Sequence, residues 1–362
     1  MADLLISNID WDILNVYINK NLIIANKHPE YDLWLLNYSP KVSFGRCWDL
    51  FSLSSRGMVI DANGNIIARC LKKFFNYNEP NPYDIDLNQS YKIFDKIDGS
   101  TMHLFWYDHI NQWIIASRDS FISEQVIEAQ KILKLKSYDI LDKKFTYIFE
   151  IIYPQNKIVV DYGNTRDLIL LTRIETKTGI ETNYNDLIKL YSKVFTLVER
   201  LNLKIKNINE LKKFEEDNKE GFVIKYADGN RLKFKFDSYV KLRGIMTNVS
   251  NITVWEYLMN NYNFDNLLKK IPDEFLTWIK NTAKLLQDQF NEIERLVLKE
   301  FFRIYYVNKI TNRKEFAAQA IKTNYQQILF KLYERKPYNE LIWNLIKPTI
   351  SKSFYDKYEA IE

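Results

Sequence analysis

All nine glycines of this 362-residue chain lie at or before Gly244, and none follows in the stretch to Glu362. Glycine supplies the positive φ that turns and hairpins require, so a chain that spends its glycines early and then stops has changed architecture. The first part predicts strands joined by turns and the last part predicts helices, with the boundary near residues 244–252. Length agrees with the division, because single cores usually stop growing near ~250 residues. The expected fold class is α+β: antiparallel sheets with flanking helices over 1–246, followed by an all-helical domain over 247–362.

Before the boundary, β-branched and aromatic runs such as "GMVIDANGNIIARC", "KKFTYIFEIIY", "LILLTRI" and "GFVIKYADGNRLKFKF" alternate with turn signals. The segments "DANGN" and "ADGN" predict hairpin turns, since Asn and Gly tolerate positive φ. Two helices interrupt this half, one at "WDILNVYIN" and one at "SEQVIEAQKILK" with Ser123 at its cap. Beyond the boundary, "TVWEYLMNN", "DEFLTWIKNTAKLLQDQFNEIERLVLKEFFRIYYV" and "RKEFAAQAIKTNYQQILFKLYER" carry apolar residues at three-and-four spacing. Trp255, Trp278 and Trp343 fall among those apolar positions and read as core. Lys269, Lys270, Lys280 and Lys284 face either solvent or a polyanion.

Composition narrows the class of function. Hydrophobic residues make up 46% of the chain and charged residues 27%, the balance of a folded protein. A net charge of +5 permits a polyanionic partner without demanding one. Cys47, Cys70 and three histidines match no metal or disulfide spacing. No run of about 18 apolar residues occurs, and "MADLLISNID" lacks a basic region followed by an apolar one. The expectation is an intracellular, cytoplasmic protein without a membrane partner.

The segment "FDKIDGST" places Lys96 two residues ahead of an Asp-Gly-Ser turn. Such a lysine is either a solvated loop charge or a nucleophile within reach of phosphorus. Nucleophilic attack requires the neutral amine, which neighbouring cations or loss of solvent favour. A nucleotide phosphate site would supply those cations. In "RLKFKFDSY" the two-residue period turns Arg231, Lys233 and Lys235 to one side and Leu232, Phe234 and Phe236 to the other. That face meets either water or a phosphate. Glu220 and Gly221 open the preceding strand of the same hairpin, and Glu150 ends the apolar "TYIFE". Each acid is either plainly exposed or placed to hold a ribose hydroxyl and hydrated Mg²⁺.

The ordered set "SRGM", "KKFFNYNE", "KIDGS", "FEIIYPQNKIVV", "EGFVIKY" and "KFKF" resembles the covalent nucleotidyltransferases. Among these it is most similar to the bacteriophage T4 RNA ligase 1-like family of ATP-dependent RNA ligases. The resemblance covers roughly the first two thirds of the chain. It implies that 1–246 is an adenylyltransferase domain in which Lys96 forms a covalent lysyl-AMP, with Asp98, Gly99 and Ser100 completing its loop. It places Arg56, Lys73 and Phe75 around the ATP phosphates, Glu150 near the ribose, Glu220 and Gly221 in the fourth motif, and Lys233 and Lys235 on the α-phosphate. Arg118 in "ASRDS" stands where the family has a basic residue. Tyr38 in "LNYSPK" resembles a family tyrosine. Glu150 and Glu220 would hold Mg²⁺, or Mn²⁺, through water.

The resemblance further implies joining of 5′-phosphate and 3′-hydroxyl RNA ends, with 247–362 selecting the RNA. A cleaved tRNA is the substrate that the family suggests, an end-healing kinase-phosphatase a partner, and a monomer the working form. DNA ligases carry an arginine where Thr101 stands, and both they and GTP-dependent capping enzymes continue into a β-rich domain, unlike this glycine-free tail. These remain alternatives, as does a non-catalytic RNA-binding protein that stacks bases on Phe74, Tyr77 and Trp106. His103, just after the lysine loop, reads as structural or solvent-facing.

Overall fold

The computed structural model describes residues 8–82, 85–247, 249–268 and 276–351, so Lys269 and Lys270 lie outside the described residues. By internal contacts the chain divides into two compact units, Met1–Arg243 and Gly244–Glu362.

The first unit is built from three sheets. Strands β1 (Ile23–Lys27), β2 (Leu33–Tyr38), β3 (Arg56–Asp61) and β4 (Ile66–Ala68) form one in chain order. After β5 (Phe75–Asn76) and β6 (Tyr91–Asp95) come β7 (Ser100–Tyr107), β8 (Gln112–Ser117), β9 (Phe145–Ile152) and β10 (Asp167–Glu175), and the last four pair in the order β10-β9-β7-β8. The third sheet adds β11 (Arg200–Leu201), β12 (Gly221–Tyr226) and β13 (Arg231–Lys235) in the order β11-β6-β12-β13-β5. The long pairings are antiparallel, and the two-residue β5 lies parallel to β13.

Both turn signals have a visible cause. The Asp61 carboxylate accepts from the backbone N–H groups of Asn63 and Asn65 while Gly64 takes φ 78°. In the β12–β13 turn Asp228 accepts from Asn230 and Gly229 takes φ 87°. Each fixes a hairpin register, and the second decides which residues of β13 lie opposite Gly221.

Period-two alternation then sorts the cores. Met102 and Leu104 of β7, with Tyr147 and Phe149 of β9, pack with the helices Glu124–Leu133 and Tyr184–Tyr191. Phe105 and Tyr107, on the other face of β7, meet Leu33, Leu35 and Val59 of the first sheet. The third sheet buries Ile93, Phe222, Ile224, Leu232 and Phe234. Phe94 of β6 packs with Ile152, Ile169 and Val198, so the second and third sheets share a cluster beside the site. Ser123 occupies the N-cap of Glu124–Leu133 as the sequence predicts, but its side chain makes no capping bond.

The second unit contains the helices Asn251–Met259, Phe264–Leu268, Leu276–Phe302, Arg313–Ala320, Gln326–Tyr333 and Asn339–Leu345. Ser250 and Thr253 form a capping box on the first of these. Trp255, Trp278 and Trp343 are buried, and the Trp255 indole N–H donates to the Trp343 carbonyl at 2.8 Å. Lys280 and Lys284 are exposed. The long periodic segment does not stay α-helical to Val307: Arg303–Val307 is a π-helical turn. Among the described residues no helix is long and apolar enough to cross a membrane.

Candidate active site

Strand β6 ends at Asp95, opposite Phe222 of β12, and the next backbone N–H, that of Lys96, donates to the Gly221 carbonyl at 2.9 Å. That bond sets Lys96 beside Glu220. Its ammonium lies 2.7 Å from Glu220 Oε2, and Lys235, the register partner of Gly221 on β13, reaches Oε1 at 3.2 Å. One carboxylate, 3% exposed, thus holds two lysines. Burial, the largest influence, pushes the Glu220 carboxyl up, but Lys96 and Lys235 outweigh it and hold it below the usual range.

Gly221 is glycine for a packing reason. Its φ is 136°, and a Cβ would lie 2.1 Å from the Phe234 carbonyl oxygen. Gly99 is constrained similarly, because a Cβ there would meet the Ile151 carbonyl at 2.4 Å and Glu150 Cγ at 3.1 Å. At each position the backbone of the neighbouring strand, β13 beside Gly221 and β9 beside Gly99, leaves no room for a side chain.

Glu150 faces Thr101 across the β9–β7 pair and accepts a hydrogen bond from its hydroxyl at 3.2 Å. Burial pushes its carboxyl up to about 7, against the opposing pull of Lys96 and Arg56. Asp98, by contrast, is fully engaged by the protein. Its Oδ2 accepts from the backbone of Val159 and Val160, each at 2.9 Å, and its Oδ1 from the Tyr239 hydroxyl at 2.8 Å. The Asp98 N–H donates to the Tyr162 hydroxyl, and Ser100 bonds Asn156. The Asp-Gly-Ser turn is therefore clamped on three sides behind Lys96.

These residues line a cleft of about 450 Å³ together with Arg56, Arg118, Lys233 and Arg243. Leu171, Val198 and Val223 give it an apolar wall, and Lys233 also lies over the Phe74 ring at 5.3 Å. His103 sits behind the arginines with no exposure and with neither ring nitrogen hydrogen-bonded. Its ring fills the space a side chain at Gly57 would need, 2.2 Å from that Cβ position. Burial, then Arg56 and Arg118, lower its pKa to about 3, so the imidazole is neutral.

The structure gathers most of the residues singled out by sequence and separates two. Lys96, Arg56, Asp98, Gly99, Ser100, Arg118, Glu150, Glu220, Lys233 and Lys235 line the cleft, and Gly221 frames it. Lys73 and Phe75 are not among the lining residues. The Lys73 ammonium is buried in a cage of Tyr38, Trp48 and Phe75, 5.4–5.7 Å from each ring centre. The neighbouring Phe74 lines the cleft instead. Arg231 keeps the side of β13 that the alternation assigns, yet it is bound by Glu181, which also takes Lys225 at 2.9 Å.

Glu181, Tyr239 and Arg243 are cleft residues that sequence reasoning missed. A signal existed for Tyr239, which follows Lys235 by four residues in "KFDSYVKLR". Glu181 gave none, because its partners belong to a hairpin far along the chain.

Concavity, an apolar wall and convergent cations around an amine are the features a phosphate-bearing ligand requires. Residues 54–240 match the family model described as RNA ligase, and the chain belongs to that family. A curated protein of Thermovibrio ammonificans (strain DSM 15698 / JCM 12110 / HB-1), named "Putative RNA ligase", is 27% identical over 262 residues. The match covers 68% of this chain and 62% of that relative, so the chain spans less than two thirds of its length. Among solved structures, an archaeal ATP-dependent RNA ligase gives a TM-score of 0.47 at 14% identity, covering 74% of this chain and 70% of that one. A Naegleria gruberi RNA ligase with pyrophosphate gives 0.36 at 17%, covering 42% and 51%.

Proposed function

We propose that the protein is an ATP-dependent RNA ligase in which Lys96 carries the adenylate. The observation that bears most weight is the single buried carboxylate of Glu220, shared by Lys96 at 2.7 Å and Lys235 at 3.2 Å in a cleft lined by Arg56, Arg118 and Lys233. The proton held in the Lys96–Glu220 pair leaves before attack. Nζ then displaces pyrophosphate from the α-phosphorus of ATP, forming an N–P bond as the P–O bond to the leaving group breaks.

AMP next passes to a 5′-phosphate on RNA, which forms a pyrophosphate linkage and returns the amine. A 3′-hydroxyl attacks that end, a phosphodiester forms, and AMP departs. Lys233, Lys235, Arg56 and Arg118 are placed to offset charge on the phosphate oxygens, the main help a protein gives phosphoryl transfer. In this reading Glu150 takes the ribose, and the base lies against the wall of Leu171, Val198 and Val223. Asp98 acts by holding the loop through Val159, Val160 and Tyr239. Lys73 and Phe75 act through their cage with Tyr38.

The donor set fits Mg²⁺ or Mn²⁺. Among the described residues no group of three or more His, Cys, Asp or Glu is placed to ligate a metal. Mg²⁺ is usually held by one or two carboxylates, waters and substrate phosphates, a role for Glu150 and Glu220. Held there, the ion would help to neutralise charge developing on the phosphate. In this reading residues 1–246 adenylylate and 247–362 select the RNA, a cleaved tRNA whose ends a kinase-phosphatase has prepared. The working form is a cytoplasmic monomer.

Incubation with α-labelled ATP and Mg²⁺, followed by a chase with 5′-phosphorylated single-stranded RNA, tests the reading. Label is expected on the protein and then on RNA, and Lys96→Ala abolishes both. Persistent labelling of that variant, or no labelling of the natural protein, would falsify it.

A further inference from the structure

Three aromatic side chains among the described residues are more than half exposed: Tyr262, Phe302 and Tyr306. Two of them adjoin. The Phe302 and Tyr306 rings lie 5.3 Å apart at 31°, where Leu276–Phe302 passes into the π-helical turn. The turn is closed by the Asn308 N–H donating to the Arg303 carbonyl at 2.9 Å, five residues back. Such insertions re-aim the side chains that follow and recur at functional sites. Here Tyr306 lands beside Phe302. Behind them Phe301 stacks on Tyr305 at 5.3 Å, and buried Ile304 and Phe316 anchor the turn. The exposed pair is thus mounted on a packed base.

Cations share this surface. Arg295, Lys299, Phe302, Arg303 and Tyr306 are exposed and recur at helical spacing. Arg295 and Arg303 are each held by an acid three residues earlier, Glu292 and Glu300, at 2.7 and 2.5 Å. Exposed pairs of that kind are weak and exchange readily for phosphate. From Arg295 to Lys347 the chain carries eleven Lys and Arg against four acids, a local excess well above the balance of the whole protein.

Two solvent-facing rings spaced with cations match an unpaired polynucleotide, which offers a base face and a phosphate at every step. A purely apolar partner would cover these charged groups without using them, and a folded acidic protein leaves the rings without a flat face. We infer that the Arg295–Tyr306 stripe is a docking platform for single-stranded RNA, with Phe302 and Tyr306 stacking bases and Arg295, Lys299 and Arg303 meeting phosphates. The choice of RNA as the polynucleotide rests on the ligase reading above.

The test titrates the full-length protein against a short fluorescent single-stranded RNA at low and raised salt. The double variant Phe302→Ala/Tyr306→Ala is expected to bind about tenfold more weakly or worse, with an unchanged circular dichroism spectrum. Lys299→Glu/Arg303→Glu is expected to weaken binding and flatten its salt dependence. Tyr262→Ala, the third exposed aromatic, is expected to bind like the natural protein. Natural affinity in the double alanine variant overturns the inference. So does sedimentation showing that the double variant dissociates a dimer while RNA affinity stays constant, which makes the face an interface between copies. Lysyl-AMP formation by the natural protein is measured separately. If it is absent while the double variant still loses RNA, the ligase reading fails and the platform stands.

Discussion

Glu220 and Glu150 are two buried carboxylates of one cleft with opposite electrostatic fates. Glu220 has two lysines within 3.2 Å and stays ionised, whereas Glu150 has one hydroxyl donor and distant cations, and burial wins. The difference sorts their roles and makes them separately testable. Replacing Lys235 with Ala removes one counter-charge from Glu220 and one cation from the proposed phosphate site, so lysyl-AMP formation is expected to slow by about 100-fold or more, read as a single-turnover rate. An unchanged rate removes Lys235 from the site. Glu150 takes up its proton more readily in the folded protein than in the unfolded chain. The folded protein holds the proton up to about pH 7, the unfolded chain releases it near its ordinary value, and stability is therefore lost as pH rises between the two. Glu150→Gln carries no such charge, so it is expected to gain on the natural protein over that window by on the order of 3 kcal/mol. Parallel urea curves across the window would refute the assignment. The same variant is expected to adenylylate poorly if the ionised acid holds the ribose or metal.

At the scale of elements, the β12–β13 hairpin carries most of the site. Its register puts Lys235 opposite Gly221, places Glu220 at the mouth, and lets β6 deliver Lys96 by one backbone bond. Gly221→Ala forces a Cβ toward the Phe234 carbonyl and a φ that L-residues rarely adopt. It is expected to cost about 2–4 kcal/mol by chemical denaturation and to slow adenylation beyond what lost stability explains. Glu181→Ala strands Arg231 of β13 and Lys225 of β12. A loss of about 2 kcal/mol is expected, discounted for partial exposure, with a raised KM for ATP. This hairpin was legible in the sequence because alternation and turn chemistry are local: "ADGN" fixes the turn, and "RLKFKF" fixes which side chains share a face. Lys96 was legible for the same reason, since its turn and its motif are adjacent. Glu181 was not, because one acid after "TGI" acquires meaning only when two hairpins meet. The Lys73 cage was hidden likewise, assembled from Tyr38, Trp48 and Phe75 on separate elements.

At the scale of the whole molecule, every lining residue of the cleft lies between Arg56 and Arg243, inside the first compact unit. The second unit has its own buried core around Trp255, Trp278, Ile279 and Trp343. Compact units that each bury their own core are expected to unfold as separate cooperative steps, and a ligand that binds one native core stabilises that step alone. Calorimetry is therefore expected to resolve two transitions. A non-hydrolysable ATP analogue with Mg²⁺ raises only the one that Gly221→Ala lowers, by about 2.7 kcal/mol at a hundredfold excess over Kd. A short single-stranded RNA is expected to move the other transition, and Phe302→Ala/Tyr306→Ala to cancel that shift. A single transition displaced as a whole by either ligand would mean that the units unfold together. Nucleotide and RNA binding would then be coupled through the fold rather than carried by separate parts of it.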